Sequence, residues 1–441
     1  MSATPAPKPA PAAAHASRRV LRAGAAALLL LLTGGVAAPA ALSAQTAQTA
    51  QGRAQAASLS AAAARQADAR QDPARHDGLR PVAQDLDPAT VARLDAAITA
   101  AMKKDAIPGV IVGVWIPGRG DYVKSFGVAD QASGTPMKSD LHMRIGSVTK
   151  TFTVTAVLQL VDQGRIGLDD PISKYVAGVP GGDRITLRQL AAMRSGLYDY
   201  TSDPKFLDAL RTDPQRTYTP QQLLDLAFTH PANFAPGAKW EYSNTNTVLL
   251  GLVVEKIGGQ PLHTFLQQHV FGPLKLTSTS LPTGAEFPEP HAQGYTTFTP
   301  DGTVAEATTW NPSWAWAAGA AISDLDDLHT WVPALVDGRL LTPATQAQRL
   351  RTESVGVPGV SYGLGIADVN GWLGHNGELP GYESIAAGLP QQKATLVVLV
   401  NSDVDRGGSY STAIGRAVTQ IVTPDHVWTL PSPAQVGENR N

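Results

Sequence analysis

The stretch "RIGSVTKTFTVTAV", Arg144 to Val157, puts Ser147 three residues before Lys150, just after Gly146 and at the head of an apolar run. The run predicts a helix. Side chains three apart share one helix face, so the Lys150 amine can reach the Ser147 hydroxyl. Gly146 permits a tight backbone approach ahead of the serine. A lysine partly stripped of water has a lowered pKa and can act as a base, which would make Ser147 a nucleophile. The other reading makes Ser147 a helix N-cap and Lys150 a solvated surface charge; this segment alone leaves both open. A second Ser-x-x-Lys, Ser202-Asp203-Pro204-Lys205, sits in polar, turn-like surroundings, so Ser202 reads as a cap or turn residue.

Upstream of this stretch, "DLDPATVARLDAAITAAMKKD" predicts a helix with Pro88 in its first turn and Val91, Leu94, Ala97, Ile98 and Ala101 on one face. "PGVIVGVWI" and "GDYVKSFGVAD" read as two strands joined by a turn at "PGRG". Downstream, from Thr151 to about Leu274, the pattern is helical with many Pro and Gly breaks: "TFTVTAVLQLVDQGRI", "TLRQLAAMRSG", "TPQQLLDLAFTH" and "TNTVLLGLVVEKIGG", followed later by "SDLDDLHTWVPALVDG". Near the C-terminus "ESIAAGLP" and "KATLVVLVNSD" predict antiparallel strands around "PQQ", and "SYSTAIGRAVTQIV" a last helix. Strands at both ends and helices between them predict an α+β fold: one antiparallel sheet built from both chain ends, with flanking helices and an inserted, mostly helical region. A site is expected in the cleft between sheet and insertion.

Composition narrows the function. A formal net charge of -2 over 441 residues, with no long basic run, argues against nucleic acid as a partner. The absence of cysteine excludes a cysteine nucleophile and thiolate metal sites. The ten histidines are scattered, with no pair at ligand spacing on one helix, so neither a metal nor another cofactor is expected. "ASRRVLRAGAAALLLLLTGGVAAPAALSAQ" has the order of a secretion signal: basic residues, an apolar run from Ala23 to Leu32, then small residues. That run is too short to span a bilayer. Residues 1–44 are therefore expected to be a signal of the Sec or twin-arginine type, with cleavage after Ala40 or Ala44. The remainder is expected to be soluble, secreted or periplasmic, and off the membrane. Residues 45–80, rich in Ala, Gln, Arg and Asp, are expected to form a mobile linker. A folded domain is expected over 81–425 and a tail over 426–441.

Two further segments carry polar groups suited to chemistry. In "KWEYSNTNT", Tyr242 can hold or relay a proton and the Asn244 amide can bind a carbonyl; a helix cap at Ser243 or Asn244 with Tyr242 in the core is the alternative. In "WLGHNGELPGYES", His375-Asn376-Gly377 lies on a strand edge, His375 could polarise a hydroxyl, and Gly377 would admit a ligand close to the backbone; a surface turn histidine is the alternative.

Taken in order, the three segments resemble the serine β-lactamase and D-alanyl-D-alanine carboxypeptidase superfamily, whose signature is S-x-x-K, S-D-N and K-T-G. Here Tyr-Ser-Asn stands for the second motif and His-Asn-Gly for the third, as in the branch holding class C β-lactamases, soluble DD-carboxypeptidases, D-aminopeptidases and related esterases. "LRQLAAMRSGL" resembles that branch's LL-x-HTSGL segment, with Met193-Arg194 in place of His-Thr. "SWAWAAGAAISDLDDLHTW" resembles another, with Trp314 where a tryptophan lines the cleft. The resemblance spans Asp85 to Val422 and implies a β-lactamase/transpeptidase-like fold. It implies that Ser147 forms an acyl-enzyme and that Lys150 and Tyr242 carry its proton. The backbone N–H groups of Ser147 and Glu378 would hold the oxyanion, Asn244 the substrate amide, and His375 would support the Tyr242–Ser147 network. Asn376, Gly377, Glu378 and Trp314 would line the substrate.

Which group is the general base is left open. Glu378 departs from the soluble carboxypeptidases, which carry a threonine there that helps bind the substrate carboxylate. The expected activity is that of an exported D-alanyl-D-alanine carboxypeptidase or β-lactamase-like hydrolase, acting on a small peptide such as a peptidoglycan stem peptide. An esterase or D-amino-acid amidase or peptidase of the same fold is the alternative. A catalytically silent relative that binds cell-wall peptide is the alternative from another class.

Overall fold

The run "GVIVGVWI" is β-branched and apolar on both faces of the pleat, the composition of a strand covered on both sides. It forms β1 (Gly109–Ile116), which turns through Gly118, at φ +81°, into β2 (Gly120–Asp130). β1 pairs on its other side with β9 (Ala394–Val400), Val110 opposite Val400, so the first and last long strands lie side by side. In this computed structural model residues 85–404 and 408–430 are described. The expected signal and linker lie outside them.

The main sheet has nine strands in the order β3-β2-β1-β9-β8-β7-β6-β5-β4, all paired antiparallel. β3 is Thr135–Pro136, β4 Glu353–Val357, β5 Val360–Tyr362, β6 Ala367–Val369, β7 Trp372–Leu379 and β8 Tyr382–Leu389. The expected α+β architecture is thus observed, with the sheet drawn from both ends of the chain. The edge hairpin β4–β5 and strand β6 have no counterpart among the sequence-derived elements.

Alternation along β9 feeds two cores. Leu396, Val398 and Val400 pack with α1 (Pro88–Asp105) and α7 (Tyr410–Val422), while Val397 and Leu399 face the helical region. Helix α1 begins at Pro88 behind Asp87, whose carboxylate accepts from the Thr90 amide, and buries Leu94 and Ile98. Beyond α7 the chain stays packed past residue 425. Trp428 is fully buried, and the His426 carbonyl accepts from Trp372 Nε1 at 2.7 Å.

The insertion is built on α2 (Thr149–Asp162), which is buried on nearly every side. Its threonines are tolerated there because each hydroxyl has a carbonyl. Thr149 donates to Gly146 O, Thr151 to Val148 O, Thr155 to Thr151 O, and Thr153 across to Ala317 O. Against α2 packs α5 (Asn244–Gly258), on which α4 (Pro220–Phe228) packs in turn; α3 (Pro204–Thr212) packs on the 3-10 turn Tyr200–Ser202, and α6 (Leu325–Asp337) covers the sheet face beneath. Helix α3 is absent from the sequence-derived elements. The helix expected at "TLRQLAAMRSG" is only Leu187–Ala191, because Met193 (φ +57°) and Gly196 (φ +78°) turn the chain left-handed. Among the described residues no helix is long and apolar enough to cross a membrane.

Candidate active site

Two glycines press two backbone segments together. Gly146 has φ +51°, and a Cβ on it would lie 2.3 Å from the Glu378 nitrogen. A Cβ on Gly377 would lie 1.9 Å from the Ile145 carbonyl oxygen. The chain before Ser147 thus lies directly against Gly377. The Ile145 carbonyl also accepts from Ser384 Oγ at 2.8 Å, and its amide donates to Ala321 O at 3.0 Å. These contacts hold the 3-10 turn Gly146–Val148 against β7, with Ser147 and Glu378 at one cavity wall. Strand β7 is free to receive the turn because it pairs with β6 only from Trp372 to Gly374, and beyond that only with β8.

Ser147 does not cap the helix: the N-cap position of α2 is Val148, with no side-chain cap bond. Instead its Oγ accepts from Lys150 Nζ at 2.9 Å and from Tyr242 OH at 2.7 Å. Lys150 is completely buried, and Nζ also donates to Asn244 Oδ1 and Ala318 O, both at 2.7 Å. Burial lowers its pKa to about 7, against a pull upward from the Asp199 charge. At neutral pH a large share of Lys150 is thus the free amine. Tyr242, just ahead of α5, is pushed the other way: burial holds its phenol well above its usual range, so it stays protonated.

His375 is buried on β7 and does not touch Ser147. Its Nδ1 is 2.5 Å from the Asn376 carbonyl, so that nitrogen carries the proton, and Nε2 accepts from Tyr362 OH at 3.1 Å. Burial, helped by the Lys150 charge, lowers its pKa to about 3, so the ring is neutral. Its ring centre lies 6.2 Å from that of Tyr242. Asn244, expected to hold the substrate amide, has its carboxamide engaged within the protein. Oδ1 faces Lys150, while Nδ2 donates to Asp199 Oδ2 at 3.3 Å and Thr201 Oγ1 at 3.1 Å. Ser202 lies in the 3-10 turn Tyr200–Ser202, and its neighbour Asp203 caps α3. That second Ser-x-x-Lys is a turn followed by a helix cap.

Two cavities meet at Ser147. One, of about 540 Å³, has an apolar wall of Phe206, Leu207, Leu210, Phe298 and Trp314 and carries Asp199, Glu378 and Asp403. The other, of about 320 Å³, is lined by Tyr242, His375, Asn376, Gly377 and Glu378. Trp314 lines the larger cavity, and Glu378 is exposed where the two cavities join. Burial raises the Asp403 carboxyl to about 7 although Gly381 donates its amide to it at 2.8 Å. Among the described residues no group of three or more His, Asp or Glu side chains is placed to hold a metal ion.

The profile of the family described as "Beta-lactamase" matches residues 94–419, most of the chain. The chain belongs to the beta-lactamase family. Within this serine β-lactamase and penicillin-binding protein superfamily it is similar in structure to a D-stereospecific amidohydrolase from a Streptomyces species. That match has 35% identity and a TM-score of 0.68, and covers 76% of this chain and 98% of that one. It is similar also to the D-amino acid amidase of Ochrobactrum anthropi SV3 in complex with D-phenylalanine, with 30% identity, a TM-score of 0.65, and 75% and 98% coverage. Esterase EstB of Burkholderia gladioli is 32% identical over 214 residues, 44% of this chain and 53% of the esterase, so the chain spans about half of that relative. The protein is a serine hydrolase of the beta-lactamase family. Asp199, Thr201 and Tyr362 were not among the residues singled out in the sequence. Their links to Asn244 and His375 are made only by the tertiary fold, although "SGLYDYTS" does follow directly on the recognised "LRQLAAMRSGL" segment.

Proposed function

We propose that this protein is a serine amidase or peptidase acting on amides of D-amino acids whose amino group is free. The observation that carries the reading is the charge of the larger cavity. Glu378 stands exposed at its mouth, Asp199 lies within it, and Asp403, its carboxyl raised to about 7, is partly ionised there at neutral pH. An ammonium group is attracted to such a wall and a carboxylate is repelled. At ~4 Å the interaction is worth about 1 kcal/mol in water and about 4 at an effective dielectric of 20. That disfavours a D-Ala-D-Ala peptide or a penicillin, both of which bring a carboxylate. The apolar wall of Phe206, Leu210, Phe298 and Trp314 suits an aromatic or branched side chain. The two amidase structures, one with D-phenylalanine bound, support the same reading.

In the proposed reaction Lys150 takes the Ser147 proton as Oγ bonds to the substrate carbonyl carbon. The resulting oxyanion is held by the Ser147 and Glu378 backbone N–H groups, a device worth ~10²–10³ in rate per donor. The C–N bond then breaks, and the departing nitrogen takes a proton from the Tyr242 phenol, which the Lys150 ammonium replaces. Water attacks the ester left on Ser147 with Lys150 again accepting the proton; the acyl C–Oγ bond then breaks, and the Lys150 ammonium returns its proton to Ser147 Oγ. An ester of the same acyl group is the second reading, supported by the likeness to the esterase; it needs the same nucleophile and no anion anchor. The basic, apolar and small-residue order of residues 18–44 supports export from the cytoplasm.

The test is a panel on purified protein: D- and L-phenylalanine amide, a D-Ala-D-Ala peptide, a chromogenic β-lactam and a short p-nitrophenyl ester. Release of ammonia from the D-amide, at least ~tenfold faster than from the L-amide, is expected. Turnover confined to the peptide or the lactam overturns the reading.

A further inference from the structure

Ser243 stands at the N-cap position of α5 yet makes no cap bond, and its Oγ is buried without a partner. The first amide of that helix, Asn244 N, is instead satisfied from another loop: Asp199 Oδ1 accepts it at 3.1 Å. The same carboxylate takes the Asn244 Nδ2 at 3.3 Å, the Thr201 hydroxyl at 2.8 Å and the Thr201 amide at 3.3 Å. All its acceptor positions are used inside the protein; burial raises its pKa, while these four donors and the Lys150 charge pull it back toward the ionised form. Thr201 Oγ1, donating to Asp199, accepts the other Asn244 amide hydrogen at 3.1 Å.

We infer that Asp199 is a positioning residue for the Ser147–Lys150 pair: it locks the Asn244 carboxamide with its oxygen toward Lys150 and places a carboxylate behind that amide. Were the amide turned over, its NH₂ would face the Lys150 amine and its oxygen would face a carboxylate. Asp199 thus decides which face of Asn244 Lys150 meets, and with it the direction of the amine. The inference rests on the reading of Ser147 and Lys150 as nucleophile and base. It adds a residue that touches neither of them.

The charge has its own consequence. Facing Lys150 are Ser147 from the 3-10 turn and Asn244 from the start of α5. The Ala318 carbonyl accepts from Nζ at 2.7 Å, the Tyr242 ring lies 4.8 Å from it, His375 on β7 is neutral, and Asp199 acts on it at longer range. Of these, Asp199 favours the ammonium form. It therefore keeps the lysine's titration near neutrality, where it can both accept and return a proton, rather than letting burial depress it further.

The test reads the rate at which a fluorophosphonate labels Ser147 in the full chain between pH 5 and 9, which needs no knowledge of the substrate. With the limb near pH 7 the rate at pH 6 is ~0.1 of that at pH 8. Asp199→Asn removes the charge, and the ratio is expected to rise ~threefold or more as the limb moves to lower pH. Asp199→Ala also frees the amide, and the plateau is expected to fall ~tenfold or more. A purely structural residue would scale the rate equally at every pH, so an unmoved limb in folded Asp199→Asn overturns the inference. Should neither variant fold, Thr201→Val carries the test: it removes the second anchor of the amide, a plateau lowered ~threefold or more is expected, and an unchanged plateau overturns the inference. Wild-type protein that takes no label on Ser147 would instead sink the acyl-transfer reading itself.

Discussion

Ser147 differs from the other serine of the same motif by what surrounds it. Its Oγ is met by a fully buried amine and the phenol of a partly buried tyrosine, whereas Ser202 belongs to a turn ahead of a capped helix. Ser147→Ala is expected to abolish turnover and leave the fold intact, and Ser202→Ala to keep it within about twofold; rates measured beside far-ultraviolet circular dichroism check both. Lys150→Ala and Tyr242→Phe should each slow acylation by about 10²–10⁴. Because both act on one proton, the double variant should lose far less than the product of the two. Only the neutral amine of Lys150 can accept a proton, and its pKa is about 7, so kcat/KM should fall as pH drops through about 7. His375, with a pKa of about 3, stays neutral over that range and contributes no limb of its own. A flat profile between pH 5 and 8 would contradict the assignment of Lys150 as the base.

Ser147 and β7 are held together where two elements meet at van der Waals limits without side chains between them. Gly377→Ala would drive a methyl group into the Ile145 carbonyl and Gly146→Ala into the Glu378 backbone. Neither neighbour is a flexible side chain end, so the turn and β7 must part. Overpacking of this kind costs about 1–3 kcal/mol. Each variant is therefore expected to lower Tm by several degrees and to lose activity beyond what the unfolded fraction explains; a Tm and a rate both unchanged would disprove the contact. At this scale the sequence was legible where the pattern was long and regular. The β1–β2 hairpin, β8, β9, α1 and α5 follow from alternation or helical spacing flanked by Gly, Pro and Asp. The short strands β4 to β6 did not show, because three to five residues among glycines carry too little period to stand out. The Leu187–Ala191 helix was read too long, because left-handed Met193 leaves no mark in a hydropathy pattern. The three motif segments hold Ser147, Lys150, Tyr242, Asn244 and His375, which the fold brings near one another; Asp199 escaped because its partner, Asn244, is 45 residues away and only the packing of the insertion joins them.

For the molecule as a whole, the proposed function makes substrate choice a matter of the field in the cleft. Glu378→Thr should raise kcat/KM for a D-Ala-D-Ala peptide or a penicillin by tenfold to several hundredfold, the range set by about 1–4 kcal/mol at ~1.4 kcal/mol per decade. It should lower the rate on a D-amino-acid amide and leave neutral esters nearly unchanged, since only the backbone of residue 378 is asked to hold the oxyanion. Equal rates of wild type and variant on all three classes would remove Glu378 from substrate choice. None of these effects has meaning unless the chain forms a covalent intermediate on one serine. The most direct measurement is mass spectrometry of the intact protein after brief exposure to a fluorophosphonate, followed by peptide mapping. One adduct per chain, on Ser147 and lost in Ser147→Ala, is the expected result; an adduct on another residue, or none at pH 8 on folded protein, would contradict the account.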